Sequence, residues 1–445
     1  MLQRAYAMNG LVLWAAKLRV LRRALGRGAA GLLVALLLSL AAGAQPSQPF
    51  EFARPGAKRA MVKFDIQRNL IVVAARLNGH GPYHFLLDTG VSTSLLTNPA
   101  LADSLHLVRG EELRVIGAGG EDTPLRAYRS NGVRVELPGL VAPSMTWLLL
   151  SDDALNLSGF AGTRIDGIMG AELFQSMVVT IWPLRGQLVC RAPIGYRAPR
   201  RGWATLPLHL HQGKAYVEAG VEQLPAAAGA LTSTLPLRLV LDTGAGHALS
   251  LETNSDPRLH LPPGHLRADL GRGLNGIIRG SIGRVGSVRL GQYLLPRVLT
   301  SFPDSGQVHE RLRRFDATRQ GNLGFEVLKR FNCIIDYPHE RLLLRPNGNS
   351  RLPFEHDMSG LSLIAAGPGY RYYQVLSVEA GSPAEAAGIV AEEELLVINL
   401  LPAALLPLTE ITRLLRAQDG QRMLLVLRRP DGELHSVSLQ LRRRL

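Results

Sequence analysis

Phe85-Leu86-Leu87-Asp88-Thr89-Gly90 and Leu239-Val240-Leu241-Asp242-Thr243-Gly244 share one pattern, an apolar triplet running into Asp-Thr-Gly. The offset between them, 242 − 88, is 154. The same offset carries Gly117 and Gly119 onto Gly271 and Gly273, Gly167 and Gly170 onto Gly321 and Gly324, and Glu172 onto Glu326. Matches of this kind at one fixed spacing mark a duplicated unit, each copy repeating the same structural plan.

Working outward, each copy reads as short strands separated by turn signals. Strands are expected at 69–77, 84–87 and 133–137 in the first copy, and at 215–221 and 284–290 in the second. Short helical pieces are expected at 171–176 and 325–331. Each is followed by a hairpin, 178–181 with 187–190 and 333–336 with 341–344. An Ala/Pro/Gly-rich insert at 224–235 reads as an exposed loop ahead of the second Asp strand. The fold class is therefore mainly β. Pro- and Gly-containing linkers at 192–202 and 345–360 place the copies at residues 58–193 and 203–347, with a further module at 358–445.

Two carboxylates about 3 Å apart share one proton, because both cannot ionise at that distance. At an effective dielectric near 20 their repulsion is about 5 kcal/mol, or roughly four pKa units. The ionised member can deprotonate a water while the protonated member polarises a carbonyl, with neither metal nor cofactor. Each copy supplies the parts. An apolar strand delivers Asp88 or Asp242 into a dry site, and Thr89 and Thr243 can brace the two loops. Gly90 and Gly244 allow a tight turn beside the carboxylates. Gly170 and Gly324 end segments that can pack under each Asp loop, and both G-x-x-G runs begin 79 residues after their Asp (167 − 88 and 321 − 242).

On these motifs the chain resembles the bacterial retropepsin-like aspartic proteases that carry two Asp-Thr-Gly lobes on one chain, over residues 61–346. The resemblance implies two β-barrel lobes forming a pseudo-dimer, with Asp88 and Asp242 as a catalytic pair hydrolysing peptide bonds. It also implies glycine-rich flaps over the substrate, placed here at Gly117 and Gly119 and at Gly271 and Gly273. Two departures stand out. Pepsin-type enzymes follow Asp-Thr-Gly with Ser or Thr, whereas this chain has Val91 and Ala245. Losing a hydroxyl that donates to the charged carboxylate raises its pKa, so an optimum at roughly pH 5 to 6 rather than 2 to 3 is expected. Second, Trp182 stands where the other copy has Asp336, which makes a structural role the expectation for that Asp. A peptide-binding protein of the same fold without catalysis is the alternative, and pairing of each lobe with another chain a third. Covalent linkage favours pairing within the chain.

Gly271-Arg272-Gly273-Leu274-Asn275-Gly276 fits G-x-G-x-x-G, but a dinucleotide site needs a helix after it, and Ile277-Ile278-Arg279-Gly280 reads as strand and turn. A flap is the reading kept. The twelve histidines show no ligand spacing, and no zinc-protease, P-loop or nucleophile-elbow motif is present.

Beyond residue 360 the pattern changes to strands at 372–378, 395–399, 423–428 and 433–439. A helix capped by Thr409 presents Ile411, Leu414 and Leu415. With Gly381-Ser382-Pro383-Ala384-Glu385-Ala386-Ala387-Gly388, this α+β module resembles a bacterial PDZ domain. The resemblance implies a peptide groove beside the Thr409 helix, with Gly367, Gly369 and Tyr370 in the loop that holds a terminal carboxylate. Glu392-Glu393 departs from the Gly-Asp usual at its turn. Simple packing of the module on the protease is the alternative role.

The N-terminus reads as a cleavable secretory signal over residues 1–44. Six cations without an acid (Arg4, Lys17, Arg19, Arg22, Arg23 and Arg27) precede an apolar run at 29–42 and an Ala-Gly-Ala exit. The run is shorter than the roughly 20 residues of a spanning helix, an uncleaved anchor being the alternative, and Met8 is a second possible start. A periplasmic or extracellular location is expected. Cleavage lowers the formal charge from +14 by six, to +8, a basic surface that permits loose envelope association. Protein or peptide substrates are expected as partners, and nucleic acid is not. Cys190 and Cys333, both in apolar strands, are read as buried free thiols.

Overall fold

The computed structural model describes residues 50–115, 125–225, 234–273, 276–304 and 319–445. The signal-like segment, Gly117, Gly119 and residues 226–233 of the insert lie outside these. The described chain is mainly β, as its short strands and turn signals implied.

In the first copy β1 (Arg59–Gln67) alternates exposed and buried residues, sending Ala60, Val62 and Phe64 inward. A two-residue turn, Arg68-Asn69, has positive φ at both positions (48° and 64°) and reverses the chain into β2 (Leu70–Leu77). β2 pairs antiparallel with β3 (His80–Leu87), and β4 (Leu125–Leu137) and β5 (Leu140–Leu150) form a long hairpin. Helix α1 (Leu157–Ala161) leads to β6 (Gly167–Met169), which pairs parallel with β3, Phe85 opposite Gly167 and Leu87 opposite Met169. Helix α2 (Glu172–Ser176) and the hairpin of β7 (Val178–Trp182) and β8 (Gln187–Arg191) follow.

The second copy repeats the plan. β9 (Ala204–His211) turns through Gln212-Gly213 into β10 (Lys214–Glu222), which pairs with β11 (Thr234–Asp242). After the hairpin of β12 (Leu266–Gly273) and β13 (Gly276–Arg284) comes β14 (Gly321–Gly324), parallel to β11 with Leu239 opposite Gly321. This is the register of β3 and β6 shifted by 154. The β2–β3 pair Val72 and Leu86 becomes Tyr216 and Val240, an offset of 144 on one strand and 154 on the other. The ten-residue difference is the insert. Helix α3 (Phe325–Leu328) and the hairpin of β15 (Phe331–Asp336) and β16 (Arg341–Pro346) close the copy.

The terminal hairpins meet. β7 pairs antiparallel with β15, Val179 opposite Ile335 and Ile181 opposite Cys333. With β8 on β1 and β16 on β9, one sheet runs β1–β8–β7–β15–β16–β9 and takes three strands from each copy. A single apolar core extends through both copies. Cys190 and Cys333 are free and buried in it, and burial pushes the Cys190 thiol up to about 12.

Residues 361–440 form a separate sheet with its own core: β17 (Leu361–Ala366), β18 (Tyr372–Val378), β19 (Glu394–Ile398), β20 (Arg422–Arg428) and β21 (Leu434–Gln440), in that order. Helix α4 (Leu408–Leu414) buries Leu408 and Ile411 against it.

Several sequence expectations change. The strand expected at 284–290 is broken at Val285-Gly286, where Gly286 donates to the Glu222 carbonyl instead. The second helical piece stops at Leu328, because Arg330 turns inward and Phe331 already belongs to β15. Thr409 does not cap its helix; Pro407 holds the cap position, and the Thr409 hydroxyl donates to Gln67 Oε1 at 2.9 Å. The Glu392-Glu393 turn is made with Glu392 at a φ of 71°, while buried Glu393 faces His435 at 3.1 Å.

Candidate active site

β3 ends at Leu87 and β11 at Asp242, so both Asp-Thr-Gly loops leave equivalent strand ends. Beneath each loop a backbone amide is donated from the next helix start. Ala171 N–H reaches the Val91 carbonyl at 2.8 Å, and Phe325 N–H reaches the Ala245 carbonyl at 2.8 Å. These contacts follow directly after Gly170 and Gly324 and hold each loop down.

The loops lock to each other through their threonines. Thr89 N–H donates to Thr243 Oγ1 at 3.1 Å, and Thr243 N–H to Thr89 Oγ1 at 3.0 Å. The two hydroxyls then donate across, Thr89 to the Leu241 carbonyl at 2.6 Å and Thr243 to the Leu87 carbonyl at 2.8 Å. Both threonines are fully buried. Four reciprocal bonds between loops 154 residues apart leave little freedom in how the carboxylates meet.

Asp88 and Asp242 face each other across this brace. A methyl group on Gly90 would stand 3.0 Å from Asp88 Oδ1 and 3.1 Å from Asp242 Cγ, and one on Gly244 would overlap the Asp88 carboxylate. Backbone amides serve one oxygen of each acid: Gly90 N–H to Asp88 Oδ1 at 2.6 Å and Gly244 N–H to Asp242 Oδ1 at 3.1 Å. Beyond this the two differ. Asn322 Nδ2 donates to Asp242 Oδ2 at 2.6 Å, whereas the equivalent residue beside Asp88 is apolar Ile168.

Burial first, and the Asp242 charge second, push Asp88 up to about 8, against the Gly90 amide and the charge of Lys214. Both effects favour the protonated form of Asp88. Burial followed by the two carboxylates holds the Tyr337 phenol well above its usual range. Burial lowers His247 despite the Asp242 charge, leaving it neutral beside the site.

The first copy also props the second copy's loop. Asn69, in the β1–β2 turn, donates to the Gly246 carbonyl at 3.2 Å and to the Glu326 carboxylate, and accepts from Lys329 Nζ at 2.8 Å. In the first copy Glu172 accepts from Ser94 N–H at 2.8 Å and from Ser94 Oγ at 3.0 Å. Gly271 and Gly273 lie on the β12–β13 hairpin, with a bulge between Asp269 and Gly271. Asp336 is fully buried and pairs with His339 and Arg341, each at 2.7 Å.

Sequence reading passed over Asn322, Asn69 and Tyr337. For Asn322 a signal existed, an amide interrupting an apolar strand that lies beside the Asp strand. Asn69 and Tyr337 reach the site only through the fold.

Residues 73–173 match a family model described as aspartyl protease. That segment contains Asp88-Thr89-Gly90 and the parallel β3–β6 pair, so the matched aspartyl protease region is the half of the site that carries the high-pKa acid. No curated protein matches the chain. Among solved structures it is similar to one titled photosystem II D1 C-terminal processing protease, at 24% identity and a TM-score of 0.18. That likeness covers 18% of this chain and 22% of the other, and it carries no argument.

In the C-terminal sheet, Gly367 (φ 68°), Gly369 (φ 66°) and Tyr370 (φ 57°) form the tight connection between β17 and β18. β18 lies inside the sheet, so β17 is the edge on that side. That edge is engaged by the first copy. Arg68 Nη1 donates to the Leu363 carbonyl at 3.2 Å and to the Phe160 carbonyl of α1 at 3.1 Å.

Proposed function

We propose that the chain is an exported aspartic endopeptidase whose two Asp-Thr-Gly lobes pair within one molecule. The observation that carries this reading is the reciprocal threonine brace, which sets the Asp88 and Asp242 carboxylates against one another. In this mechanism Asp242 serves as the base and Asp88 carries the shared proton. Asp242 takes a proton from a water whose oxygen adds to the scissile carbonyl carbon, while Asp88 gives its proton to the carbonyl oxygen. In the resulting gem-diol Asp242 returns its proton to the amide nitrogen. The C–N bond breaks, and Asp88 recovers a proton from a diol hydroxyl. Both carboxyls end as they began.

The β12–β13 hairpin supports a flap on the second lobe, its glycines letting the backbone lie close to an extended peptide. The C-terminal module, PDZ-like in its strand and helix pattern, is assigned to holding protein substrates near the cleft. Because Arg68 and α1 engage the outer edge of β17, strand addition there requires that contact to open. The signal-like N-terminus supports export to the periplasm or beyond, and the basic mature surface suits loose association with the envelope.

The test is cleavage of an unfolded protein between pH 4 and 8 by the mature chain and its D88N and D242N variants. Wild-type cleavage with loss of at least about a thousandfold in each variant is expected, since neither half of the dyad works alone. Folded wild type that binds the same polypeptide and never cuts it would instead favour a peptide-binding protein of this fold.

A further inference from the structure

The repeat makes the two acids equivalent in sequence, but Asn322 makes them different in chemistry. Around the carboxylates themselves the copies share the same apolar strand, the same Thr and the same Gly amide on one carboxylate oxygen. Among the described residues, only Asp242 has a side-chain amide on its second oxygen, Asn322 Nδ2 at 2.6 Å, and Ile168 occupies that position in the first copy. An N–H donor stabilises a carboxylate over the neutral acid, whereas an apolar neighbour favours the neutral form.

We infer that Asn322 is a positioning residue that makes the dyad directional, holding Asp242 as the ionised base so that Asp88 carries the shared proton. This rests on the proteolytic reading of the site. It also accounts for Val91 and Ala245. With no hydroxyl after either Asp-Thr-Gly, each acid lacks a local donor beyond its Gly amide, and Asn322 supplies one to Asp242 from β14. The remaining groups facing the pair do not reverse the bias. Burial keeps His247 neutral against the Asp242 charge, and burial with the charges of both acids keeps the Tyr337 phenol protonated. Lys214 acts on Asp88 and favours its charged form, but burial and the facing Asp242 outweigh it.

The experiment uses the full mature protein as wild type, Asn322→Leu and Asn322→Ser. The leucine keeps the branched shape without the amide, at a somewhat larger volume; the serine avoids adding bulk and apolar surface should the leucine variant fold poorly. Carbon-13 carboxyl spectra of aspartate-labelled protein, assigned with D88N and D242N, read where the proton sits. The pH–rate profile on an unfolded protein reads which limb moves. Loss of one charge-assisted bond is expected to move the acid limb up by about one to two pH units. That would cut kcat/KM about tenfold or more below the limb, with KM nearly unchanged, and the spectra should show the proton distributed over both acids.

A uniform fall at every pH with the spectra unchanged would reduce Asn322 to packing and overturn the inference. So would wild-type spectra with the proton on Asp242 at neutral pH. If wild type cleaves nothing, the endopeptidase reading fails while the spectra still decide the role of Asn322.

Discussion

On the proposed mechanism, Asp88 links catalysis to stability through a single proton. Its carboxyl sits well above the ordinary range because burial and the facing Asp242 disfavour its charge. In the unfolded chain the same group titrates near pH 3.9. Below that both states are protonated, and the site contributes its full stability. As pH rises towards about 8 the unfolded chain sheds the proton freely while the folded site resists, so this contribution is progressively lost. D88N removes the titration. Urea midpoints measured from pH 4 to 9 should therefore decline more steeply for wild type than for D88N, with the variant the more stable of the two at pH 8. Parallel curves, or a wild type that gains on the variant as pH rises, would contradict the high Asp88 proton affinity. In the proposed mechanism the same residue sets the alkaline limit of cleavage, because the acid that polarises the carbonyl is gone once Asp88 ionises.

At the level of elements, the β1–β2 turn performs two tasks with adjacent residues. Asn69 supports the second Asp loop at Gly246, while Arg68 stacks over Phe160 at 4.3 Å and donates to the edge of β17. Its backbone amide reaches Thr409 Oγ1 at 3.2 Å, which ties the first turn of α4 to the same point. Arg68→Ala should loosen this seam without touching the dyad. Hydrogen exchange is expected to rise about tenfold or more at Leu361–Ala366 while Leu239–Asp242 stays protected, and unchanged exchange at β17 would show that α1 alone holds the module. Only part of this was legible in the sequence. Apolar triplets and the 154-residue offset put both Asp residues at matching strand ends, because strand periodicity and the tight turn are local properties of the chain. The seam was not legible, since Arg68, Phe160 and Thr409 are far apart in sequence and each reads as an ordinary surface residue or cap. Thr409 was misread for that reason: an Ser/Thr before an apolar run signals a cap, and only the tertiary contact with Gln67 shows the hydroxyl engaged elsewhere. Asn322 was hidden differently, its role depending on the parallel pairing of β14 with β11, which aligns it with Val240, two residues from Asp242.

Across the whole molecule, the sheet β1–β8–β7–β15–β16–β9 governs how the catalytic body unfolds. Neither copy completes it: separated at the β7–β15 seam, each would expose a free strand edge beside the largest shared core. The threonine brace adds a second junction of buried hydrogen bonds that no single copy can satisfy, leaving its amide and carbonyl partners unpaired. Two coupled junctions make independent unfolding of the halves costly, so the body should melt as one cooperative unit even though its sequence is a duplication. Ile335, fully buried and opposite Val179 at the seam, tests this. Ile335→Ala should cost about 2 to 5 kcal/mol. Calorimetry should show that loss as a shift of one shared transition for residues of both copies, rather than as a transition that splits in two. Separate melting of the copies would mean that the dyad is assembled by docking two stable domains. The single transition is expected because the seam is built from main-chain ladder bonds and core side chains, neither of which can be surrendered by one half alone.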